Sequence, residues 1–204
     1  MDHKYAELTV IREIAGHLAS GCPPGKTTII DAFAGVGGNA ISFAVSGCWQ
    51  HVIAIEKDPE TLACAKHNAA LYGVEDAITW YEGDCFDLLK GELASNGSNA
   101  VIFASPPWGG PGYSVDEVFD LSRMEPYSLG QLLDSFRQVT KDIALYLPRS
   151  SDVRQIAAAR DEGKKVPVVH YCMRGASKVR CCHFETVGAN IRQALCAYFG
   201  DIKV

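Results

Sequence analysis

Apolar and polar positions follow two rhythms along this chain. Tyr5, Leu8, Ile11, Ile14, Ala15 and Leu18 recur at steps of three and four, which places them on one face of a helix. Gly21-Cys22-Pro23-Pro24-Gly25 then interrupts the pattern. Beyond it, short apolar runs predict strands at Thr28–Asp31, His51–Glu56, Ile78–Glu82, Ala100–Ala104 and Ile143–Leu147. Helical segments are predicted over residues 38–46, from Asp58 to about Tyr72, around 128–138 and over about 151–161. Asp58-Pro59 marks a helix start, with an N-cap carboxylate and a proline at the first helical position. Two last strand-like runs, Val166–Met173 and Gln193–Phe199, follow each other with no helical pattern between them.

Alternating strands and helices imply a parallel sheet with helices on both faces. Two consecutive strands at the end imply an antiparallel hairpin at one edge. The expected fold is therefore α/β, with a mixed seven-stranded sheet. Repeats, low-complexity tracts and linkers are absent from the sequence, and Ala94–Asn99 reads as a simple connection. Residues 1–204 are expected to form a single domain.

Composition narrows the class further. Apolar residues make up 48% and charged residues 21%, the profile of a soluble globular protein. The longest apolar stretches, such as Val101-Ile102-Phe103-Ala104, fall far short of the ~18 residues a membrane-spanning helix needs. Net charge is −5, which argues against a protein that coats polyanions generally. The balance is uneven: residues 1–102 carry −7 and 103–204 carry +2, and residues 149–192 hold 9 basic and 4 acidic groups. Contact with nucleic acid is expected to be small and confined to the C-terminal half. Cys22, Cys48, Cys64, Cys85, Cys172 and Cys196 are scattered singly, and Cys181-Cys182 are adjacent. No Cys-x-x-Cys pair occurs, so neither a disulfide framework nor a metal site is expected. The amphipathic start is not an apolar signal core, and the reading is an intracellular, reducing compartment.

Three strand ends carry candidate chemistry. The first strand runs into Asp31-Ala-Phe-Ala-Gly35-Val-Gly37-Gly38-Asn39, where glycines let the backbone turn sharply and approach a ligand. Glu56 ends the second strand, where a carboxylate can accept from both hydroxyls of a ribose. A dinucleotide dehydrogenase shares that acidic residue, but its fingerprint is G-x-G-x-x-G. Here Asp31 stands at the loop entrance, which suits a cationic amino-acid end better than a pyrophosphate. That favours S-adenosylmethionine as cofactor. Asp84, after the third strand, can accept from an adenine amino group or cap the following helix. The fourth strand leads into Ser105-Pro106-Pro107-Trp108-Gly109-Gly110-Pro111. A prolyl-prolyl backbone holds its carbonyls in fixed directions, suited to orienting an exocyclic amine, and Trp108 offers a face on which a base can stack.

Asp31-Ala-Phe-Ala-Gly-Val-Gly-Gly-Asn39, Val52-Ile-Ala-Ile-Glu-Lys-Asp-Pro59, Ser105-Pro-Pro-Trp-Gly-Gly-Pro111, Leu147-Pro-Arg149 and Ala197-Tyr-Phe-Gly-Asp201 together resemble the trimethylguanosine synthase family. The resemblance covers roughly residues 5–203. Its strand-four motif is specific to the family, while the glycine loop is shared by many methyltransferases. It implies a Rossmann-like class I methyltransferase fold and transfer of methyl to the N2 amine of a 7-methylguanosine RNA cap. The product is 2,7-dimethylguanosine after one addition or 2,2,7-trimethylguanosine after two, and the residues leave both open. The implied partners are capped small nuclear and nucleolar RNAs, met by a monomer in the nucleus or cytoplasm, with no metal and no membrane.

Carried over residue by residue, the resemblance sets Asp31, Gly35, Gly37 and Asn39 at the cofactor's methionyl end. Glu56, where the family usually has Asp, binds ribose, and Asp84 meets adenine. Ser105 and Pro106 position the amine, Trp108 stacks on 7-methylguanine, and Arg149 meets the cap phosphates. N7-methylated guanine is cationic, so the indole gains a cation–π attraction that plain guanine lacks. Lys178 and Arg180 are candidates to extend the phosphate patch, though solvated charge is the plainer reading. His170 and His183 are candidate bases by position alone. Family members usually carry a helical extension that helps enclose cap and cofactor, and residues 1–20 read as its remnant. Two alternatives stay open: an amine methyltransferase acting on adenine N6 or ribosomal guanine N2, and a non-catalytic cap- or RNA-binding module on the same fold.

Overall fold

A computed structural model describes residues 3–109, 117–174, 177–180 and 193–204, with side chains described for 12–109, 117–171 and 195–204. His183, Gly110, Pro111 and Cys181-Cys182 lie outside the described residues, as do the side chains of Tyr5, Leu8, Ile11, Cys172, Lys178 and Arg180.

The predicted elements are present, and a helix and a strand join them. In chain order they are α1 (His3–Gly21), β1 (Thr28–Asp31), α2 (Gly38–Ser46), β2 (His51–Glu56), α3 (Pro59–Leu71), β3 (Ile78–Glu82), α4 (Cys85–Lys90) and β4 (Ala100–Ala104). α5 (Leu129–Phe136), β5 (Ile143–Pro148), α6 (Val153–Ala158), β6 (Val168–Arg174), β7 (Ser177–Arg180) and β8 (Gln193–Phe199) follow, with α4 and β7 the two additions. The sheet order is β3-β2-β1-β4-β5-β8-β6-β7. β3, β2, β1, β4 and β5 run parallel, and β8 returns antiparallel between β5 and β6. The two strands expected at the end, β6 and β8, pair antiparallel, but they are not consecutive and do not form the sheet's edge. An eighth strand, β7, pairs antiparallel with β6 beyond it. Ala94–Asn96 forms a single 3₁₀ turn.

Periodicity explains the layers. Along β4 all five residues are buried, and they alternate between two cores. Ile102 and Ala104 join Ile30, Ile55, Leu145 and the α4–α5 residues Leu89, Leu132 and Phe136 on one face. Val101 and Phe103 join Ile29, Val52 and the α1–α2 residues Ile14, Leu18, Ile41 and Phe43 on the other. A strand covered on both faces is apolar throughout, which is why these runs were short and continuous.

Caps set the helix starts. Asp58 Oδ1 accepts from the Thr61 amide at 2.7 Å, with Pro59 at the first helical position. Ser128 and Gln131 form a capping box at α5.

A buried polar chain pins α1 to the antiparallel edge. His17 Nδ1 lies 2.7 Å from the Tyr171 hydroxyl, and that hydroxyl lies 2.7 Å from the Tyr198 hydroxyl. Removing one member leaves its neighbour short of a buried partner. Tyr198→Phe should destabilise the fold by on the order of 1 kcal/mol without changing the urea m-value. Urea unfolding followed by tryptophan fluorescence measures this, and an unshifted midpoint would show that the hydroxyl contributes nothing.

Candidate active site

Parallel pairing brings the carboxyl ends of four strands to one edge of the sheet. Asp31 pairs in register with Ala54 and Phe103, and Glu56 with Glu82. β1 is the switch point, since the chain leaves it toward β2 on one side and later returns to β4 on the other. Ligands of open α/β sheets bind in the crevice outside such a point. A cavity of about 300 Å³ lies there, walled by Ala32, Phe33, Gly35, Ile55, Glu56, Lys57, Gly83, Asp84, Cys85, Ser105, Pro106, Pro107 and Tyr127.

Of the residues singled out from the sequence, Gly35, Glu56, Asp84, Ser105 and Pro106 meet in this wall. Glu56 ties two loops together: Oε2 accepts from the Gly35 amide and Oε1 from the Asp58 amide, each at 2.9 Å. A longer side chain than Asp spans that gap, and lone pairs remain on both oxygens for a ribose. Asp84 Oδ1 caps α4 by accepting from the Phe86 amide at 2.9 Å. Its capping role is therefore real, and its place in the wall leaves the carboxylate available to a ligand as well.

Asp31, Gly37 and Asn39 stand behind the wall. Asp31 is fully buried, and burial raises its carboxyl from 3.8 to about 7, with the Glu56 charge adding to the effect. The Phe33 and Ala40 amides and the Asn39 side chain oppose the rise. Neither Asp31 oxygen has a partner at full hydrogen-bond geometry. Gly37 has φ +89°, a conformation L side chains rarely adopt, and a Cβ there would also crowd Ala65 Cβ of α3 at 3.1 Å. Asn39 Nδ2 donates to Ser105 Oγ at 3.2 Å.

Trp108 and Arg149, the residues expected on the acceptor side, lie outside the cavity wall. Trp108 is half-buried and stacks on Tyr146 of β5, with ring centroids 5.9 Å apart and planes 28° apart. Arg149 is exposed just beyond β5. The segment after the strand-four motif is stitched beside it, with the Phe119 amide donating to Ser150 O at 2.7 Å and the Asp152 amide to Phe119 O at 3.0 Å. His170 is half-buried on β6, its pKa lowered by burial, and does not line the cavity.

The aromatic wall was not foreseen. Tyr127 packs on Phe86 at 4.8 Å and on Phe33 at 6.1 Å, and both Tyr127 and Phe33 line the cavity. Burial and the Asp84 charge raise the Tyr127 hydroxyl's pKa. Phe33 stood inside the quoted glycine motif, whereas Tyr127 arrives from the segment before α5 and carries no local signal.

These residues fit S-adenosylmethionine. A buried carboxylate without a hydrogen-bond partner stands at the end of β1, a glutamate in the wall keeps lone pairs suited to ribose hydroxyls, and an aromatic wall with an aspartate beside it suits adenine. Fold and cavity together define a class I S-adenosylmethionine-dependent methyltransferase. The profile of the RNA cap guanine-N2 methyltransferase family matches residues 26–187. Trimethylguanosine synthase of Schizosaccharomyces pombe is 37% identical over 166 residues, covering 81% of this chain and 68% of that protein. Trimethylguanosine synthase of Saccharomyces cerevisiae is 33% identical over 144 residues, covering 70% of this chain and 45% of that protein. A crystal structure of an S-adenosylmethionine-dependent methyltransferase from Agrobacterium tumefaciens is similar with a TM-score of 0.61 at 16% identity, covering 98% of this chain and 62% of that one. The chain belongs to the RNA cap guanine-N2 methyltransferase family.

The buried carboxyl has a measurable consequence. The folded-state pKa of Asp31 lies above its ordinary value, so its ionisation opposes folding. Stability from this group is complete below about pH 4 and is lost as pH rises through about 7. Asp31→Asn should flatten the decline in stability of the ligand-free protein between pH 5 and 8, by on the order of a few kcal/mol. Denaturant midpoints measured across that range test this, and parallel profiles for both proteins would refute it.

Proposed function

We propose that this protein, acting as one methyltransferase domain, methylates the exocyclic N2 amine of a 7-methylguanosine RNA cap. One round gives 2,7-dimethylguanosine, and a second round on the same nitrogen gives 2,2,7-trimethylguanosine. The observation that supports this reading best is that Ser105 and Pro106 share a wall with Gly35, Glu56 and Asp84. A motif suited to orienting an amine thus borders a site suited to the methyl donor.

S-adenosylmethionine, when bound, supplies an electrophilic methyl carbon on a positive sulfur. Glu56 holds the ribose hydroxyls and Asp84 the adenine amino group, while Asp31 offsets positive charge at the methionyl end from beneath the loop. Ser105 Oγ and the Pro106 carbonyl accept the N–H hydrogens of the amine and leave its lone pair directed into the site. Trp108 stacks on the base. One indole face rests on Tyr146, which steadies the ring. Arg149 engages cap phosphates through its planar fork. The motif holds no strong base, and the excess proton passes to water. Positioning and electrostatics then supply most of the rate. We assign the capped partners to small nuclear and nucleolar RNA, met by a monomer in the nucleus or cytoplasm. Five described cysteines, Cys22, Cys48, Cys64, Cys85 and Cys196, are free thiols, in keeping with a reducing compartment. Among the described residues no helix is long and apolar enough to cross a membrane.

Incubation with methyl-labelled cofactor and either m7GTP or GTP should label m7GTP alone. Equal labelling would remove the cap reading, and S-adenosylhomocysteine binding without any transfer would point to a cap-binding module instead. Base stacking is worth ~1–3 kcal/mol. Trp108→Ala should therefore lower kcat/KM for m7GTP by about 5- to 150-fold while the Kd for S-adenosylhomocysteine stays constant. Unaltered kinetics would show that the base stacks elsewhere.

A further inference from the structure

The Asn39–Ser105 hydrogen bond joins the first loop of the sheet edge to the fourth. Asn39 sits at the amino end of α2 and does not line the cavity, whereas Ser105 does. Its amide nitrogen reaches Ser105 Oγ at 3.2 Å.

Asp31 is buried at the end of β1, and the Asn39 side chain is one of the groups that stabilise its charge. Of the two ends of a side-chain amide only the NH₂ donates, and here it donates to Ser105 Oγ.

A serine hydroxyl rotates, and can present either its hydrogen or a lone pair to a neighbour. For an amine acceptor the difference is decisive. If the hydroxyl donates to the amine nitrogen, it occupies the lone pair that must form the new C–N bond. If it accepts from an amine N–H, the lone pair stays free. With Asn39 donating to it, Ser105 Oγ is held in place and keeps one lone pair, the site an amine N–H requires.

We propose that Asn39 is a positioning residue: it holds Ser105 as a hydrogen-bond acceptor for the N2 amine and so links the cofactor loop to the aim of the methyl acceptor. This role stands in place of the contact with the methionyl end that the resemblance implies, since Asn39 does not line the cavity, and it rests on the reading of Ser105 as amine-positioning.

A double-mutant cycle separates the two ideas. Wild type, Asn39→Ala, Ser105→Ala and the double variant are compared for kcat and KM with m7GTP, and for S-adenosylhomocysteine Kd by calorimetry. Asn39→Ser serves as a second variant, since its hydroxyl is too short to span the gap and suits a helix start. Asn39→Ala is expected to lower kcat about tenfold. KM for m7GTP and the Kd for S-adenosylhomocysteine should each stay within about twofold, and in the Ser105→Ala background the same change should cost less than about twofold. A Kd that weakens as much as kcat falls would make Asn39 a cofactor contact and overturn the proposal. Multiplying losses, with Ser105→Ala itself impaired, would overturn the coupling but leave the role of Ser105 standing. Full kcat in Ser105→Ala would remove the amine-positioning reading and this inference with it.

Discussion

Parallel strand pairing governs everything at this site. In a parallel sheet every strand ends at the same edge, so the loops after β1, β2, β3 and β4 are forced into proximity. The registers of Asp31 with Phe103 and of Glu56 with Glu82 set the height of each loop. Slipping one strand by a single residue would exchange its two faces, carrying Ile30 and Ile102 out of one core and into the other. The two cores therefore enforce the register, and the register places the chemistry.

Within that frame the site holds more negative charge than an isolated protein edge would favour. Asp31 is buried, Glu56 lies near it, and Asp84 stands on the adjoining loop. The backbone offsets part of this cost, through the Gly35 and Asp58 amides on Glu56 and the Phe86 amide on Asp84. The remainder, concentrated on Asp31, is a standing preference for a positively charged ligand. A cofactor bearing both an ammonium and a sulfonium meets that preference, and a pyrophosphate would oppose it.

The surroundings of Trp108 are built differently. Trp108 leans on Tyr146, and the segment returning at Phe119 is tied to the residues that follow β5. β5 itself is held by β8, which runs against it from Ile143 to Pro148. The antiparallel edge thus supports Trp108, while the loops after the parallel strands wall the cavity. The Asn39–Ser105 bond joins the first of those loops to the fourth.

Much of this was legible in the chain alone, because two-residue and 3.6-residue periodicities are local and strong. Ile102 and Phe103 alternate between cores as the apolar run implied, Asp58-Pro59 opens α3, and Glu56 and Asp84 stand at strand ends as expected. The loop and strand-four motifs also carried the family, since their chemistry is written in adjacent residues. What only the folded chain decided is which of these residues face the ligand and which support those that do. Gly37 answers to Ala65, Asp31 and Asn39 lie behind the wall, Trp108 rests on Tyr146, and Tyr127 completes the aromatic side. Those relations join residues far apart in sequence, and contacts of that kind leave no period or motif in the chain. They come into being only when two cores close on either face of one sheet.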